Sequence, residues 1–102
     1  MPQAQTVPTP EVIDKQETAE EPLYRVIIHN DDVTPMDFVV HVLTQIFLLL
    51  QPDAVEVMLT AHYQGAAYVQ TLPKEEAQKR IGKAHFAAGL DGYPLHFSME
   101  PA

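Results

Sequence analysis

A polar turn between an apolar strand and an apolar helix constrains this chain more than any other feature. The segment Leu23–His29 is rich in Val and Ile and predicts a β-strand. Residues 30–36 follow it and open a helix with apolar residues at helical spacing. Asn30 and Asp31 offer hydrogen-bond acceptors to an ammonium group, and Met36 begins an apolar wall beside them. The junction suits a ligand that joins a positive charge to a bulky apolar group, as a free protein amino terminus does.

Length and composition limit the class of protein. The chain has 102 residues, a formal net charge of −8 and 46% hydrophobic residues, which favours one domain with a modest core. It contains no cysteine, so a disulfide framework, a thiolate metal site and a cysteine nucleophile are excluded. The negative charge argues against a nucleic-acid-binding surface. The longest apolar run, 38–50, is interrupted by polar residues and is shorter than the roughly 20 residues that span a bilayer, so we expect no membrane span and a cytosolic protein.

Residues 1–22 differ in composition from the rest of the chain. They contain four prolines and five acidic residues but only one basic residue, Lys15. Such a segment buries too little apolar surface to offset the entropy cost of ordering. We therefore expect a flexible acidic arm over residues 1–22 and a single folded core domain over 23–102.

The first predicted helix follows the polar turn. Thr34 is a candidate cap that accepts from the backbone near Asp37, and Pro35 suits the first helical position. Apolar residues recur at helical spacing as far as Leu50, which predicts that one side faces a sheet. This stripe consists of Met36, Val39, Val40, Leu43, Ile46, Phe47 and Leu50, with Val42 beside it.

Four more elements are predicted after this helix. They are a helix over 52–64, a strand over 66–72, a helix over 73–88 and a strand over 93–99. Gly65 and Gly89 are expected to end the two helices, and an Asp91-Gly92 turn precedes the last strand. The order βααβαβ predicts a compact α+β sandwich in which three helices cover a three-stranded antiparallel sheet. The order of the strands within the sheet is left open.

Three segments together resemble the ClpS family, adaptors that deliver amino-terminal degradation signals to Clp-family protease unfoldases. They are NDDVTPMDFVVHVL after the first strand, MLTAHYQG at matching separation, and the terminal YPLHFSME. The resemblance spans roughly residues 23–99. It implies an α/β fold without enzymatic activity or cofactor that recognises proteins beginning with Leu, Phe, Tyr or Trp. The implied partner is the amino-terminal domain of a ClpA- or ClpC-like unfoldase, in bacterial cytoplasm or plastid stroma.

The resemblance also implies site residues. The amino group of the ligand would contact Asn30, Asp31 and His62, with Asp32 close by. The hydrophobic pocket would use Thr34, Met36, Val39, Met58, Ala61 and Leu95. Glu75 and Arg80 align with positions that dock the unfoldase, and Met36 would restrict β-branched side chains.

The chemistry of these residues agrees with that implication. An α-amino group has a reference pKa of about 7.7–8.0, so it is largely cationic near neutral pH and donates three hydrogen bonds. Asn30 and Asp31 supply acceptors, and His62 accepts through an unprotonated ring nitrogen.

Other interpretations of the same residues stay open. The Asn30-Asp31-Asp32 run also suits an ordinary helix-entry turn, and Met36 or Met58 taken alone suits a core. A ribosomal-stalk-like docking domain would use the same construction without a pocket. A ClpS-derived modulator would bind the unfoldase and ignore substrates.

Five histidines raise the alternative of a metal-dependent hydrolase. They are His29, His41, His62, His85 and His96, with Asp31 and Asp32 as further ligands. No pair forms an HExxH motif or another compact ligand pattern, so we expect no metal. We expect His41 and His85 on partly exposed helix faces and His29 and His96 on strand faces.

The third helix carries four of the five basic residues of the core. These are Lys74, Lys79, Arg80 and Lys83, and the simplest interpretation is a solvated face with Glu75–Lys79 and Glu76–Arg80 ion pairs. Some positions depart from the ClpS pattern: Ala61 replaces a common Val, Arg80 a usual Lys, and Pro73 a capping Thr. The segment Tyr68–Thr71 also differs. These departures suggest a divergent member or paralogue.

Overall fold

The computed structural model describes residues 21–102, which contain three strands and three helices. The elements are β1 Leu23–His29, α1 Met36–Gln45, α2 Gln51–Gln64, β2 Ala66–Pro73, α3 Lys74–Leu90 and β3 His96–Pro101. The predicted α+β class, the order βααβαβ and the antiparallel sheet are confirmed. The acidic arm predicted over residues 1–22 lies outside the described residues except for its last two.

Strand β1 is the centre of the sheet, whose order is β2-β1-β3. Both neighbours run antiparallel to it, and its register with β2 shifts between Val26 and Ile27. A central strand bonds its backbone on both edges, so it is the natural place for a β-branched sequence. Val26 and Ile28 are fully buried, which fixes the helix-covered face of the sheet.

The core lies between this face and the helices. Phe47 and Phe97 stack with ring centroids 4.8 Å apart, and both are fully buried. Helix α3 contributes only small buried residues, which let its backbone approach the sheet closely. These residues are Ala77, Ala84 and Ala88.

The prediction that the first helix extends to Leu50 is wrong, because α1 ends at Gln45. Leu48 has a φ of 60°, and a left-handed residue reverses the chain before α2. The Phe47 carbonyl accepts 3.0 Å from Gln70 Nε2 and 3.4 Å from Arg80 Nη1 instead of from a further helical turn. Phe47 is thereby held in the core, and Leu48 and Leu50 are exposed.

The predicted apolar stripe of α1 is also partly wrong. Val42, predicted to widen the apolar surface, is fully buried, but Leu50 at the end of the predicted stripe is 71% exposed. The N-cap is Pro35, which makes no side-chain cap hydrogen bond. Thr34 does not cap the helix, because its hydroxyl donates to Asp31 at 2.9 Å.

Helix α2 begins one residue earlier than predicted and ends before Gly65, as predicted. Strand β1 has the predicted bounds, whereas the end of β2 and both ends of α3 and β3 differ from the prediction. Helix α3 passes through Gly89 to Leu90 and closes when the Tyr93 amide donates to the Ala88 carbonyl at 2.9 Å. Strand β3 begins at His96 rather than Tyr93, whose ring packs edge-on against Phe38 at 4.9 Å.

None of the helices within residues 21–102 has both the length and the hydropathy of a segment that crosses a membrane.

Candidate functional site

A cavity of about 290 Å³ lies where the end of β1, the start of α1, the end of α2 and the segment before β3 meet. All ten residues predicted for the amino-group contacts and the pocket line it. They are Asn30, Asp31, Asp32, Thr34, Met36, Val39, Met58, Ala61, His62 and Leu95. The cavity therefore joins polar side chains from the turn to apolar side chains from the helices.

The polar turn is fastened to the end of α2. The backbone amide of Asn30 donates to the Gly65 carbonyl at 2.9 Å, and the Gly65 amide donates to the Ala61 carbonyl at 2.8 Å. Gly65 has a φ of 95°, a left-handed conformation that lets the chain leave the helix for β2. This arrangement brings Asn30 and His62, which are 32 positions apart in the sequence, to the same cavity.

Asp31 organises the turn. Its Oδ1 accepts from the amides of Val33 at 2.8 Å and Thr34 at 2.6 Å, and its Oδ2 accepts from the Thr34 hydroxyl. Partial burial raises the pKa of the Asp31 carboxyl, but these hydrogen bonds lower it further than burial raises it. Asp31 is therefore a carboxylate. Since a carboxylate accepts about four hydrogen bonds, these three leave room for one from a ligand.

The apolar wall comes from α1, α2 and Leu95 in the segment before β3. Met36 lies at the start of α1 and is 44% exposed, so it borders the cavity and not the core. Ala61 is buried and contributes only a methyl group, which leaves space at that point of the wall. The remaining buried wall residues are Val39, Met58 and Leu95.

His62 is exposed on the last turn of α2. Its ring meets the Tyr63 ring edge-on, with centroids 4.9 Å apart. Asp32 is also exposed and follows Asp31 at the same edge of the cavity. The cavity is thus lined by a carboxylate, an amide and an imidazole next to aliphatic carbon, a set of groups suited to a cation with an apolar neighbour.

Four lining residues were missed by the sequence reasoning. They are Ile28, His29, Val33 and Pro35. Their proximity to predicted residues was the only signal, because alternation along a strand does not predict that Ile28 and His29 both reach one cavity. His29 is held by a 2.7 Å hydrogen bond between its Nε2 and the Ser98 hydroxyl.

Glu75 and Arg80 lie on α3 and do not line the cavity. Glu75 is exposed. Arg80 is not on a solvated face, because its Nε donates to Glu76 at 2.7 Å and its Nη1 to Gln70 Oε1 at 3.1 Å. The predicted Glu76–Arg80 ion pair is confirmed, whereas no Glu75–Lys79 pair forms in the described part of the chain.

The histidines do not form a metal-ligand cluster. Within residues 21–102, no group of three His, Asp or Glu side chains is arranged to hold a metal ion. His29, His96 and His85 are neighbours, with ring centroids 5.2 Å apart for the first pair and 5.4 Å for the second. The Phe97 amide donates to His85 Nε2 at 3.0 Å, so this nitrogen is unprotonated. It is occupied by a hydrogen bond from the backbone of β3.

Comparisons with known proteins show which family this chain belongs to. The family model for "ATP-dependent Clp protease adaptor protein ClpS" matches residues 19–98. The Clp protease adapter protein ClpS of Desulfotalea psychrophila is 43% identical over 86% of each chain, and ClpS 2 of Mesorhizobium japonicum is 41% identical over 99% of this chain and 98% of its own. The structure of Agrobacterium tumefaciens ClpS2 bound to L-phenylalaninamide superposes with a TM-score of 0.78 at 35% identity, covering 81% of this chain and all of that chain. The chain belongs to the ClpS family of adaptor proteins of the ATP-dependent Clp protease.

Proposed function

We propose that this adaptor captures proteins that begin with Leu, Phe, Tyr or Trp and delivers them to a ClpA- or ClpC-like unfoldase, without any enzymatic step of its own. The observation that carries the proposal is one cavity that holds both an acidic edge and an apolar interior. The relative from Agrobacterium tumefaciens binds L-phenylalaninamide, which pairs a free amino group with a bulky aromatic side chain. We assign the activity to bacterial cytoplasm or plastid stroma.

In this proposal the α-ammonium group of the substrate donates to three acceptors. Asp31 supplies a carboxylate oxygen, Asn30 its side-chain carbonyl, and His62 an unprotonated ring nitrogen. Asp32 adds negative charge at the same edge without a required contact. The first side chain then enters between α1 and α2, with Met36 at the rim.

The expected affinity suits a complex that must later be released. Burial of a Leu or Phe side chain contributes roughly 1.5–3 kcal/mol, and each hydrogen bond to a charged group roughly 1.5–3 kcal/mol. Association costs at least about 4 kcal/mol. At the upper end of these ranges, three hydrogen bonds and one buried side chain leave a net binding free energy of about −8 kcal/mol, which corresponds to a micromolar complex.

We assign the unfoldase contact to Glu75 and Arg80 of α3. Glu75 is exposed and free to meet a basic partner. The Arg80 guanidinium is held by Glu76 and Gln70, so its contribution is a fixed position more than a mobile charge.

A peptide titration tests the substrate assignment. Short peptides that differ only in their first residue are titrated against the protein, each beside a version whose amino group is acetylated. We expect Phe-, Leu-, Tyr- and Trp-starting peptides to bind and their acetylated forms to lose binding, because acetylation removes the charge and two donors. Binding that ignores acetylation would contradict the proposal and favour a surface-docking domain. Unfoldase binding without any peptide binding would favour a modulator.

A further inference from the structure

The exposed face of α3 combines basic and apolar residues that have no partner among residues 21–102. Lys79, Lys83, Phe86 and Leu90 are spaced by four, three and four residues, which places them on one stripe of the helix. Phe86 is 70% exposed and Leu90 is 72% exposed. We call these four residues the α3 stripe. It is apolar toward the end of the helix and basic toward the middle, as expected of a surface that binds an acidic segment with apolar side chains.

We propose that residues 11–20 of the same chain bind the α3 stripe. These residues contain four acids, at positions 11, 14, 17 and 20, and one base, Lys15. They also contain adjacent apolar residues, Val12 and Ile13. The charge of this segment is opposite to that of Lys79 and Lys83, and its apolar pair matches Phe86 and Leu90 in kind.

The point at which the segment enters the fold supports an intramolecular contact. The Lys74 amide donates to the Pro22 carbonyl at 3.1 Å, so the chain joins the fold at the first residue of α3. Phe86 of the α3 stripe lies twelve residues further along the helix than Lys74, a rise of about 18 Å. The nine residues from Pro22 back to Ile13 span up to about 30 Å when extended. The apolar pair can therefore reach Phe86 while the acidic residues pass Lys79 and Lys83.

The tether also favours this occupant over a separate molecule. A segment joined by a short linker meets its site at an effective concentration in the millimolar range. A weak contact is then populated within one chain when it would be negligible between two chains. Salt should weaken it, since exposed charges are screened over about 10 Å at 0.1 M.

The contact has a consequence that rests on the proposed function. Glu75 lies one helical turn before Lys79 on the same side of α3. If Glu75 contacts the unfoldase, the unfoldase and residues 11–20 bind adjacent turns of α3, and we expect them to compete.

Paramagnetic relaxation on the full chain tests the contact without peptide or unfoldase. The chain contains no cysteine, so Thr9→Cys creates a single position for a spin label. We expect the amide signals of Phe86 and Leu90 to lose at least half of their intensity, and to lose less at high salt. Signal loss that is uniform over the protein, or centred on another face, would overturn the proposal.

Variants make the test specific. Phe86→Ser with Leu90→Ser should restore the intensities along the rest of the α3 stripe, whereas Leu50→Ser, a control of equal exposure at 71%, should not. Lys79→Glu with Lys83→Glu should also restore them, and adding Asp14→Lys and Glu17→Lys should bring the loss back. A stripe variant that leaves the loss unchanged would overturn the proposal. So would equal signal loss on isotope-labelled chains mixed with spin-labelled chains, since that result would assign the contact to a second copy.

Discussion

Replacing Asp31 by Asn tests the charge at the acidic edge while keeping the turn. The Asn carbonyl can still accept from the amides of Val33 and Thr34, which Asp31 Oδ1 now accepts at 2.8 and 2.6 Å. The new amide nitrogen meets the Thr34 hydroxyl, which rotates to accept instead of donating. The fold is therefore retained, and the loss is limited to the charged acceptor offered to the ligand.

The size of the effect follows from the hydrogen bond that is lost. A hydrogen bond to a charged group contributes about 1.5–3 kcal/mol, so the Asp31→Asn variant should bind a Phe-starting peptide roughly 10- to 150-fold more weakly. Asp31→Ala should weaken it at least as much and also destabilise the fold by about 0.5–2 kcal/mol, because it leaves the two amides without their acceptor.

Fluorescence anisotropy with a labelled Phe-starting peptide measures the first effect, and urea unfolding measures the second. Asp32→Asn is the matched control, since Asp32 is exposed and the described residues give it no hydrogen bond. We expect it to change the affinity little, through the loss of a screened charge. An unchanged affinity in a folded Asp31→Asn variant would refute the assignment of Asp31 to the ammonium group.

Three further predictions concern stability. Burial and the neighbouring His96 lower the pKa of His85, which must stay neutral to accept from the Phe97 amide. The unfolded state therefore binds the proton more readily, and stability should fall as the pH drops below about 6.5. Urea unfolding of His85→Gln should show a smaller fall. Arg80→Met should cost about 1–3 kcal/mol in the same assay, from hydrogen bonds left unmade, whereas the exposed Lys79→Met should cost little. Gly65→Ala should cost about 1–2 kcal/mol, because a Cβ meets no atom within 4 Å there but the φ of 95° is strained.

The ends of the helices show where local patterns stop being informative. The apolar run as far as Leu50 has helical spacing, yet α1 ends at Gln45. Two side chains that are 23 and 33 positions further along the sequence bond the Phe47 carbonyl, and a window of local sequence contains neither. The same contacts turn Arg80 from an expected surface charge into a partly buried structural residue.

The candidate site also combines features that the local sequence predicts with features that only the folded chain creates. The polar turn, its carboxylate and the apolar helix after it are visible in the sequence, because hydrogen-bond chemistry and helical spacing act over a few residues. The meeting of Asn30 with His62 depends on a hydrogen bond to Gly65, which only the folded chain forms. Ile28 and His29 join the cavity for a similar reason, since the fold places the end of β1 at the same cavity as residues of α1 and α2.

The sequence by itself determined the type and order of the six elements and the acidic and apolar character of the site. Tertiary structure decided the strand order β2-β1-β3, the end of α1 and the exposure of Phe86 and Leu90. The physical reason is the distance along the sequence over which each interaction acts. Backbone preferences and side-chain periodicity are local properties, whereas burial and hydrogen-bond partners depend on residues that are distant in sequence and adjacent only after folding.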